Sequence, residues 1–204
     1  MTAMRSRRAG FTLVELLLAV ALLSMIVGAI LGGLHIGKRV WETGRDYEAV
    51  AEVEEATQAL SDLLAHAYPL FLPRRDSLPV AAFEGQTTRC RIIATSEGDS
   101  LWGGLSVIEI GVDDAGALAV WTRVYRPDDG FGLPREAMAS TQALKNVTRF
   151  ELSYFGVLER DHPPVWTDAW ADRQTTPKLV SLRIGVRRGG RDITVTATSA
   201  PRQQ

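Results

Sequence analysis

The chain has 204 residues, with 23 Lys and Arg against 24 Asp and Glu, so its formal net charge is -1. This balance gives no global basic field and argues against nucleic acid as a partner. With a single cysteine, Cys90, neither an intrachain disulfide nor a cysteine-rich metal cluster is possible, and we expect a small buried side chain there.

A hydrophobic segment lies close to the amino terminus, behind a basic leader that contains Arg5, Arg7 and Arg8. From Leu16 to Leu34 there is no charged residue, and about 19 apolar residues can span the hydrocarbon core of a bilayer. The segment therefore predicts a single transmembrane helix. Because the arginines precede it, we expect the amino terminus to face the cytoplasm.

The Gly10-Phe11 junction lies before the apolar segment and is followed by Thr12-Leu13-Val14-Glu15. A conventional secretory signal is cleaved after its apolar region, whereas cleavage here would leave the hydrophobic helix on the mature protein. This order resembles the class III signal of type IV prepilins and type II secretion pseudopilins. The resemblance implies that a prepilin peptidase cuts after Gly10 and methylates Phe11. It also implies an inner-membrane protein with a periplasmic head.

Glu15 is a lone carboxylate at the start of the apolar run. A charge inside a membrane segment costs roughly 2.5 to 3.5 kcal/mol near the bilayer centre, so it usually marks a partner or a function. After cleavage the ammonium of Phe11 lies one helical turn away, within reach in the same chain or in a neighbour. The resemblance implies that Glu15 neutralises a neighbour's amino terminus during assembly. The alternative is that Glu15 only snorkels to the headgroups.

Helical spacing of apolar residues continues beyond the membrane segment, at Val40, Tyr47, Val50, Val53, Leu60 and Leu64. We therefore expect a transmembrane and assembly helix over 11–35, behind a cleaved leader over 1–10. An amphipathic helix over 36–68 should continue it, with Pro69 as the stop.

The pattern changes to period two over 69–200, which predicts a β-rich head. Asp113-Asp114-Ala115-Gly116 and Arg188-Gly189-Gly190 are turn signals, and residues 201–204 are expected to fray. We expect one mainly antiparallel sheet covered on one face by the helix, which is an α+β, pilin-like fold. The predicted strands are Thr87–Thr95, Leu105–Val112, Ala117–Arg126, Val147–Phe155, Leu179–Arg187 and Asp192–Thr198.

The distal part of the head resembles the J-type minor pseudopilin of type II secretion. The resemblance is carried by Leu144-Lys145-Asn146-Val147 before the Phe150–Tyr154 strand, a loop with Trp166 and Trp170, and the proline-led Pro177-Lys178-Leu179-Val180. It implies a tip complex with the I-type and K-type minor pseudopilins. Trp166 and Trp170 either contact such a partner or pin the loop to the sheet.

A minor pilin of a type IV pilus or DNA-uptake machine is the alternative, because it shares the whole signal. Major pilins generally close a carboxy-terminal loop with a disulfide, and the lone Cys90 cannot form one. Neighbouring genes would separate the two systems. A secretin with other minor pseudopilins indicates secretion, and a retraction ATPase indicates pili.

We expect no enzyme activity and no cofactor. Gly98-Asp99-Ser100-Leu101 spells the nucleophile block of an esterase family, but that family also needs a late Asp-x-x-His pair. Here Asp161 directly precedes His162 in a proline-rich loop. The three histidines show no metal-ligand spacing. Calcium at Asp113-Asp114 or Asp128-Asp129 is the one metal considered, although paired aspartates more often form turns.

Overall fold

The computed structural model describes residues 13–74, 78–95, 104–159 and 162–203, and for 35–37 and 39–46 it describes the backbone alone. The chain divides into two units, Met1–Glu48 and Ala49–Gln204. We call the second unit the head. A single helix, α1 (Leu13–Ala65), contributes residues to both units.

Helix α1 ends at Ala65, three residues before the end predicted at 68. Ala67 forms a β-bridge with Ala94, and the Tyr68 N–H donates to the Ile93 carbonyl at 2.7 Å. The backbone therefore joins a sheet before the proline is reached. The predicted helix start at Phe11 lies outside the described residues.

The head is built mainly from strands, and two short 3-10 turns, Pro127–Asp129 and Arg135–Ala137, interrupt one of its loops. The strands in the described ranges are β1 (Phe71–Leu72), β2 (Val80–Ala81), β3 (Phe83–Gln86), β4 (Arg89–Thr95), β5 (Leu105–Val112), β6 (Leu118–Val124), β7 (Ala139–Leu144), β8 (Val147–Gly156), β9 (Val165–Thr167), β10 (Leu179–Arg188) and β11 (Arg191–Ser199).

These strands form three sheets where the sequence predicts one. A five-stranded sheet has the order β3-β4-β5-β6-β7, a four-stranded sheet has the order β11-β10-β8-β9, and β1 pairs with β2. Each pairing is antiparallel. The chain crosses between the two larger sheets at Lys145-Asn146, where Asn146 adopts a left-handed φ of 56°. The α+β, pilin-like fold is confirmed, and the single-sheet prediction is wrong.

The six predicted strands are all present, and Leu105–Val112 has the predicted bounds. Both turn signals are also confirmed. Gly189 and Gly190 have φ of 55° and 81° between β10 and β11, as a two-residue hairpin turn requires. Sequence reasoning missed β1, β2, β3, β7 and β9, which are short or lack a run of alternating apolar residues.

The main core of the head lies between α1 and the two larger sheets. Val53, Leu60 and Leu64 of α1 are buried at helical spacing, with Thr57 between them. The Thr57 hydroxyl donates to the Val53 carbonyl at 2.6 Å, so its polar atom is satisfied inside the core. The opposing residues from the sheets include Ile92, Ile108, Ile110, Phe150, Leu152, Leu182 and Ile184.

A second apolar cluster covers the other face of the five-stranded sheet. It contains Val107 of β5, Trp121 of β6, and Phe131 and Met138 from the loop over 125–138. Strand β5 is therefore buried on both faces, including Glu109, which is 1% exposed. The 125–138 loop covers the face of the sheet on which Glu109 lies.

Two glycines allow large aromatic side chains to pack directly against the backbone of their strands. A Cβ on Gly156 would come within 3.0 Å of Cζ3 of Trp170 and nearer still to Cη2, and a Cβ on Gly85 would overlap the Tyr154 ring. Trp170 and Tyr154 are both fully buried. The glycines are needed for packing space in these strands.

Residues 201–203 form hydrogen bonds with the head, whereas Gln204 lies outside the described residues, so the fraying of 201–204 stays a prediction. Pro201 is buried. The Thr176 hydroxyl donates to the Arg202 carbonyl at 3.4 Å, and the Gln203 side-chain amide donates to the Pro177 carbonyl at 3.0 Å. These bonds to the segment before β10 hold residues 201–203 against the head.

We predict that Gly156→Ala lowers the free energy of unfolding by about 1 to 3 kcal/mol, because the new methyl group overlaps the buried Trp170 ring. Urea denaturation of the purified protein in detergent micelles measures the change. Gly104→Ala is the matched control, since nothing lies within 4 Å of its added Cβ. Equal stability of the two variants would contradict the packing argument.

Candidate functional site

The apolar part of α1, Leu13–Leu34, is long and hydrophobic enough to cross a membrane, with a mean hydropathy of 2.6. None of this span is buried, and the exposed fraction of Leu13 and Met25 reaches 74% and 76%. The Ser24 hydroxyl donates to the Val20 carbonyl at 2.8 Å, which satisfies its polar hydrogen within the helix. The span therefore presents an apolar surface suited to lipid or to other helices.

Glu15 lies in the first turn of the described helix and is exposed. A negative charge is favourable at a helix amino terminus, because the first backbone N–H groups and the helix dipole are positive there. Glu15 is thus on the helix surface, where a neighbouring chain can reach it. Gly10 and Phe11 lie outside the described residues, so the cleavage and methylation sites stay predictions.

The glycines of the apolar span leave open space on its surface. An added Cβ at Gly28, Gly32 or Gly33 would meet nothing within 4 Å. Small residues four apart on a membrane helix let another helix approach closely. This surface can therefore take part in helix packing.

Trp166 has the exposure that partner contact requires. It is 51% exposed on β9 and packs against Phe155 of β8, with ring centroids 5.3 Å apart. Val165 beside it is 43% exposed. We call Phe155, Val165 and Trp166 the aromatic patch. Large exposed aromatic side chains at a sheet edge are enriched in protein interfaces.

Trp170 does not share this exposure, which favours the alternative that it pins the loop to the sheet. It is 0% exposed, and its Nε1 donates to the Thr175 carbonyl at 2.8 Å. Its backbone exchanges hydrogen bonds with Gly85 at 2.7 and 2.9 Å. Trp170 therefore pins the long loop to the core and covers the edge of β3.

The described residues do not assemble a catalytic arrangement around the histidines. Nδ1 of His162 lies 3.8 Å from the Glu159 carboxylate, and both side chains are mostly exposed. His66 Nδ1 lies 2.7 Å from the Asp62 carbonyl, one turn back on α1. Ser100 lies outside the described residues, so the structure does not test whether it acts as a nucleophile.

The aspartates considered for calcium have local structural partners. Oδ1 of Asp113 accepts from the N–H groups of Ala115 and Ala117 at 2.9 and 2.8 Å, which closes the β5–β6 turn. Asp129 pairs with Arg123 at 3.0 Å. Within the described ranges, no group of three or more His, Cys, Asp or Glu side chains is placed to hold a metal ion.

Cys90 is fully buried, as its sequence context predicts. Burial raises the pKa of its thiol to about 12. The hydroxyl of the neighbouring Tyr154 donates to the Gln86 carbonyl at 2.9 Å. A thiol in this environment is protonated and inert at neutral pH.

The sequence analysis missed a buried ion-pair cluster on the loop-covered face of the five-stranded sheet. Glu109 accepts from Arg135 Nε at 2.6 Å and from Arg91 Nε at 2.8 Å, and Arg91 also bonds it through Nη2. Arg91 further donates to the Phe131 and Leu133 carbonyls at 3.1 and 2.8 Å. Arg135 stacks over Trp121, 3.9 Å from the ring centroid. The cluster ties the 125–138 loop to β4 and β5.

The sequence contained one signal for this cluster. Glu109 is the one charged residue in the apolar strand Leu105–Val112, and Thr87–Thr95 contains two arginines, Arg89 and Arg91. A charge inside a strand of β-branched residues is costly when buried, so it should have a partner. Arg135 comes from a distant loop, and no local pattern indicates it.

The pKa of Glu109 reflects this environment. Burial, the largest influence, raises the pKa, but the hydrogen bonds and positive charges of Arg135 and Arg91 outweigh it and hold the pKa below its usual range. The carboxylate therefore stabilises the native state above its unfolded-state pKa of about 4.3. That contribution is lost as the pH falls through the lower native-state value.

We predict that Glu109→Gln lowers the free energy of unfolding by about 3 to 5 kcal/mol at neutral pH, because it removes the charge that two partly buried arginines need. The difference from the unmodified protein should shrink as the pH falls from about 4, where the unfolded chain takes up the proton, towards the lower native-state pKa, where Glu109 in the folded protein is protonated as well. Urea denaturation across a pH series measures both effects.

Glu151→Gln is the control, because its pairs with Arg149 and Arg183 are exposed. We expect a change of about 0 to 1 kcal/mol there. A Glu109→Gln deficit that stays constant with pH would contradict the role given to its charge.

One part of the chain matches a known protein-family motif. Residues 5–31 match the prokaryotic N-terminal methylation motif, which includes Gly10, Phe11 and Glu15. A comparison with curated proteins gives no significant match. The chain thus carries the motif of prepilin-like proteins, with an apolar helix and a pilin-like α+β fold. Proteins of that class are processed by prepilin peptidase, are structural, and are not known to be enzymes.

Proposed function

We propose that this chain is a minor pseudopilin of the type II secretion system. A prepilin peptidase cuts after Gly10 and methylates Phe11, and the chain joins the tip complex of the periplasmic pseudopilus to support protein export. The observation that carries the proposal is the methylation motif over residues 5–31, which overlaps the apolar span Leu13–Leu34 of α1, where no residue is buried. An exposed apolar helix with a processing motif serves both membrane storage and fibre assembly.

The proposed location is the inner membrane, with the amino terminus in the cytoplasm and the head in the periplasm. The basic leader supports this orientation, because Arg5, Arg7 and Arg8 precede the apolar span. The I-type and K-type minor pseudopilins are the proposed partners.

A minor pilin of a type IV pilus or DNA-uptake machine is the second candidate, because the same motif serves both systems. The fully buried Cys90 argues against a major pilin with a disulfide-closed loop and is compatible with both minor-subunit candidates. The loose resemblance of the tryptophan-bearing loop to the J-type subunit supports the proposal of secretion.

We predict that Glu15→Leu leaves cleavage and methylation intact but impairs incorporation into the fibre. The carboxylate supplies the charge that neutralises a neighbouring amino terminus in an apolar environment, and leucine cannot replace it. Immunoblots of processing and of the sheared or cross-linked fibre measure the two steps separately.

Glu48→Gln is the control for the loss of an exposed helix carboxylate, and it should assemble normally. Normal incorporation of the Glu15→Leu chain would overturn the assembly role of Glu15. Loss of processing in Glu15→Leu would instead place its role at the peptidase.

We predict that Trp166→Ala weakens co-purification with the I-type and K-type subunits, with at least about a fivefold loss of affinity, because an exposed aromatic side chain at an interface contributes more than 1 kcal/mol. The melting temperature should change little. Val124→Ala is the matched control, since Val124 is 56% exposed elsewhere on the head.

An unchanged affinity in Trp166→Ala would remove the aromatic patch from the interface. Failure of the unmodified chain to form a complex with these partners at micromolar concentration would weigh against the tip assignment itself.

A further inference from the structure

A cavity of about 740 Å³ opens on the head beside the Glu109 ion-pair cluster. Three of its lining residues are arginines, Arg89, Arg91 and Arg135, and two are carboxylates, Glu109 and Asp113. The remaining lining residues come from the β3–β4 turn, the end of β5 and the 125–138 loop: Gln86, Thr88, Val112, Gly132, Leu133 and Pro134.

The two carboxylates of the cavity are already engaged by the protein. One oxygen of Glu109 accepts from Arg135 and the other from Arg91. Asp113 accepts two backbone N–H groups of its own turn. The lining therefore carries one more positive than negative charge, and neither acid is directed at an additional cation.

The three guanidinium groups differ in the donors that they leave available. Arg91 uses its Nε and both terminal nitrogens on Glu109 and on the loop carbonyls. Arg135 uses Nε on Glu109 and Nη1 on the Val112 carbonyl at 3.3 Å. Arg89 donates from Nε to Gln86 at 3.0 Å, and its terminal nitrogens have no acceptor among the described residues.

Arg89 and Arg135 both line the cavity, and the base of the Arg89 side chain and Nη2 of Arg135 both lie close to Gly111. Arg89 is directly opposite Gly111 in the β4–β5 register. A Cβ on Gly111 would lie 2.7 Å from Nη2 of Arg135 and 3.5 Å from Cβ of Arg89. The absence of a side chain at Gly111 leaves room for the Arg135 guanidinium. Its position is fixed by Glu109 and by stacking on Trp121.

We propose that this cavity binds a carboxylate group, held between the terminal nitrogens of Arg89 and Nη2 of Arg135. A guanidinium presents planar paired donors that match the two oxygens of a carboxylate. Arg135 is preorganised by its bonds to Glu109, so little side-chain entropy is lost when it binds a second acid. The volume accommodates the acidic side chains of a short peptide or a small polycarboxylate.

Glu84→Gln is a control variant that should change the affinity in the opposite direction. Glu84 pairs with Arg91 in the β3–β4 register and is exposed, outside the lining of the cavity. Its negative charge opposes the approach of an anion, so Glu84→Gln should strengthen binding modestly, by about twofold.

The test titrates two probes into the full-length protein in nonionic detergent at low ionic strength, by isothermal calorimetry. The probes are citrate and an acetylated tripeptide of glutamate. We expect at least one to bind with a Kd of about 1 mM or tighter. Arg89→Gln should weaken that binding about tenfold, because a charge-assisted hydrogen bond is lost. Arg183→Gln, which removes an exposed arginine elsewhere on the head, should not change it.

Binding of citrate alone identifies a free small acid as the source of the carboxylate, and binding of the peptide alone identifies an acidic segment of a protein. The proposal is overturned if neither probe binds at about 10 mM. It is also overturned if Arg89→Gln and Arg183→Gln have equal effects, since the binding would then reflect general surface charge.

Discussion

The apolar surface of Leu13–Leu34 is the constraint on which the rest of this protein depends. Each buried methylene contributes roughly 0.8 kcal/mol, and none of the side chains in this span is covered by the chain itself. Such a surface must lie in lipid or against other helices. The methylation motif at residues 5–31 and the carboxylate of Glu15 add a processing site and a charge to the same surface. In the proposed function, insertion into the membrane and assembly into a fibre are two ways to cover this one apolar surface.

The head has a different organisation, because its core is closed within the chain. Val53, Leu60 and Leu64 of α1 pack with residues from both larger sheets, and Trp170 fills the space over Gly156. The loop over 125–138 covers the opposite face of the five-stranded sheet through Phe131 and Met138. Both faces of the five-stranded sheet are therefore covered, whereas Trp166 at the edge of the other sheet stays exposed.

Because both faces of the five-stranded sheet are covered, a charged cluster lies inside the head. Arg91 and Arg135 compensate the buried Glu109, and Arg135 also belongs to the loop that buries it. Breaking such a cluster is costly, since it leaves an uncompensated charge out of water. Because the cluster fixes Arg135 beside the exposed Arg89, an element that holds the loop in place also prepares the cavity for an acid.

The sequence by itself determined the features that depend on local pattern. The apolar span, the Gly10-Phe11 junction, the position of Glu15, both tight turns and the six longer strands follow from charge, turn chemistry and periodicity. Only the tertiary structure decided which faces are covered. It divided the strands between two larger sheets, buried Glu109 and Trp170 and left Trp166 exposed. The reason is that a periodic pattern records one covered face, whereas burial of a second face requires contacts between residues far apart in the chain.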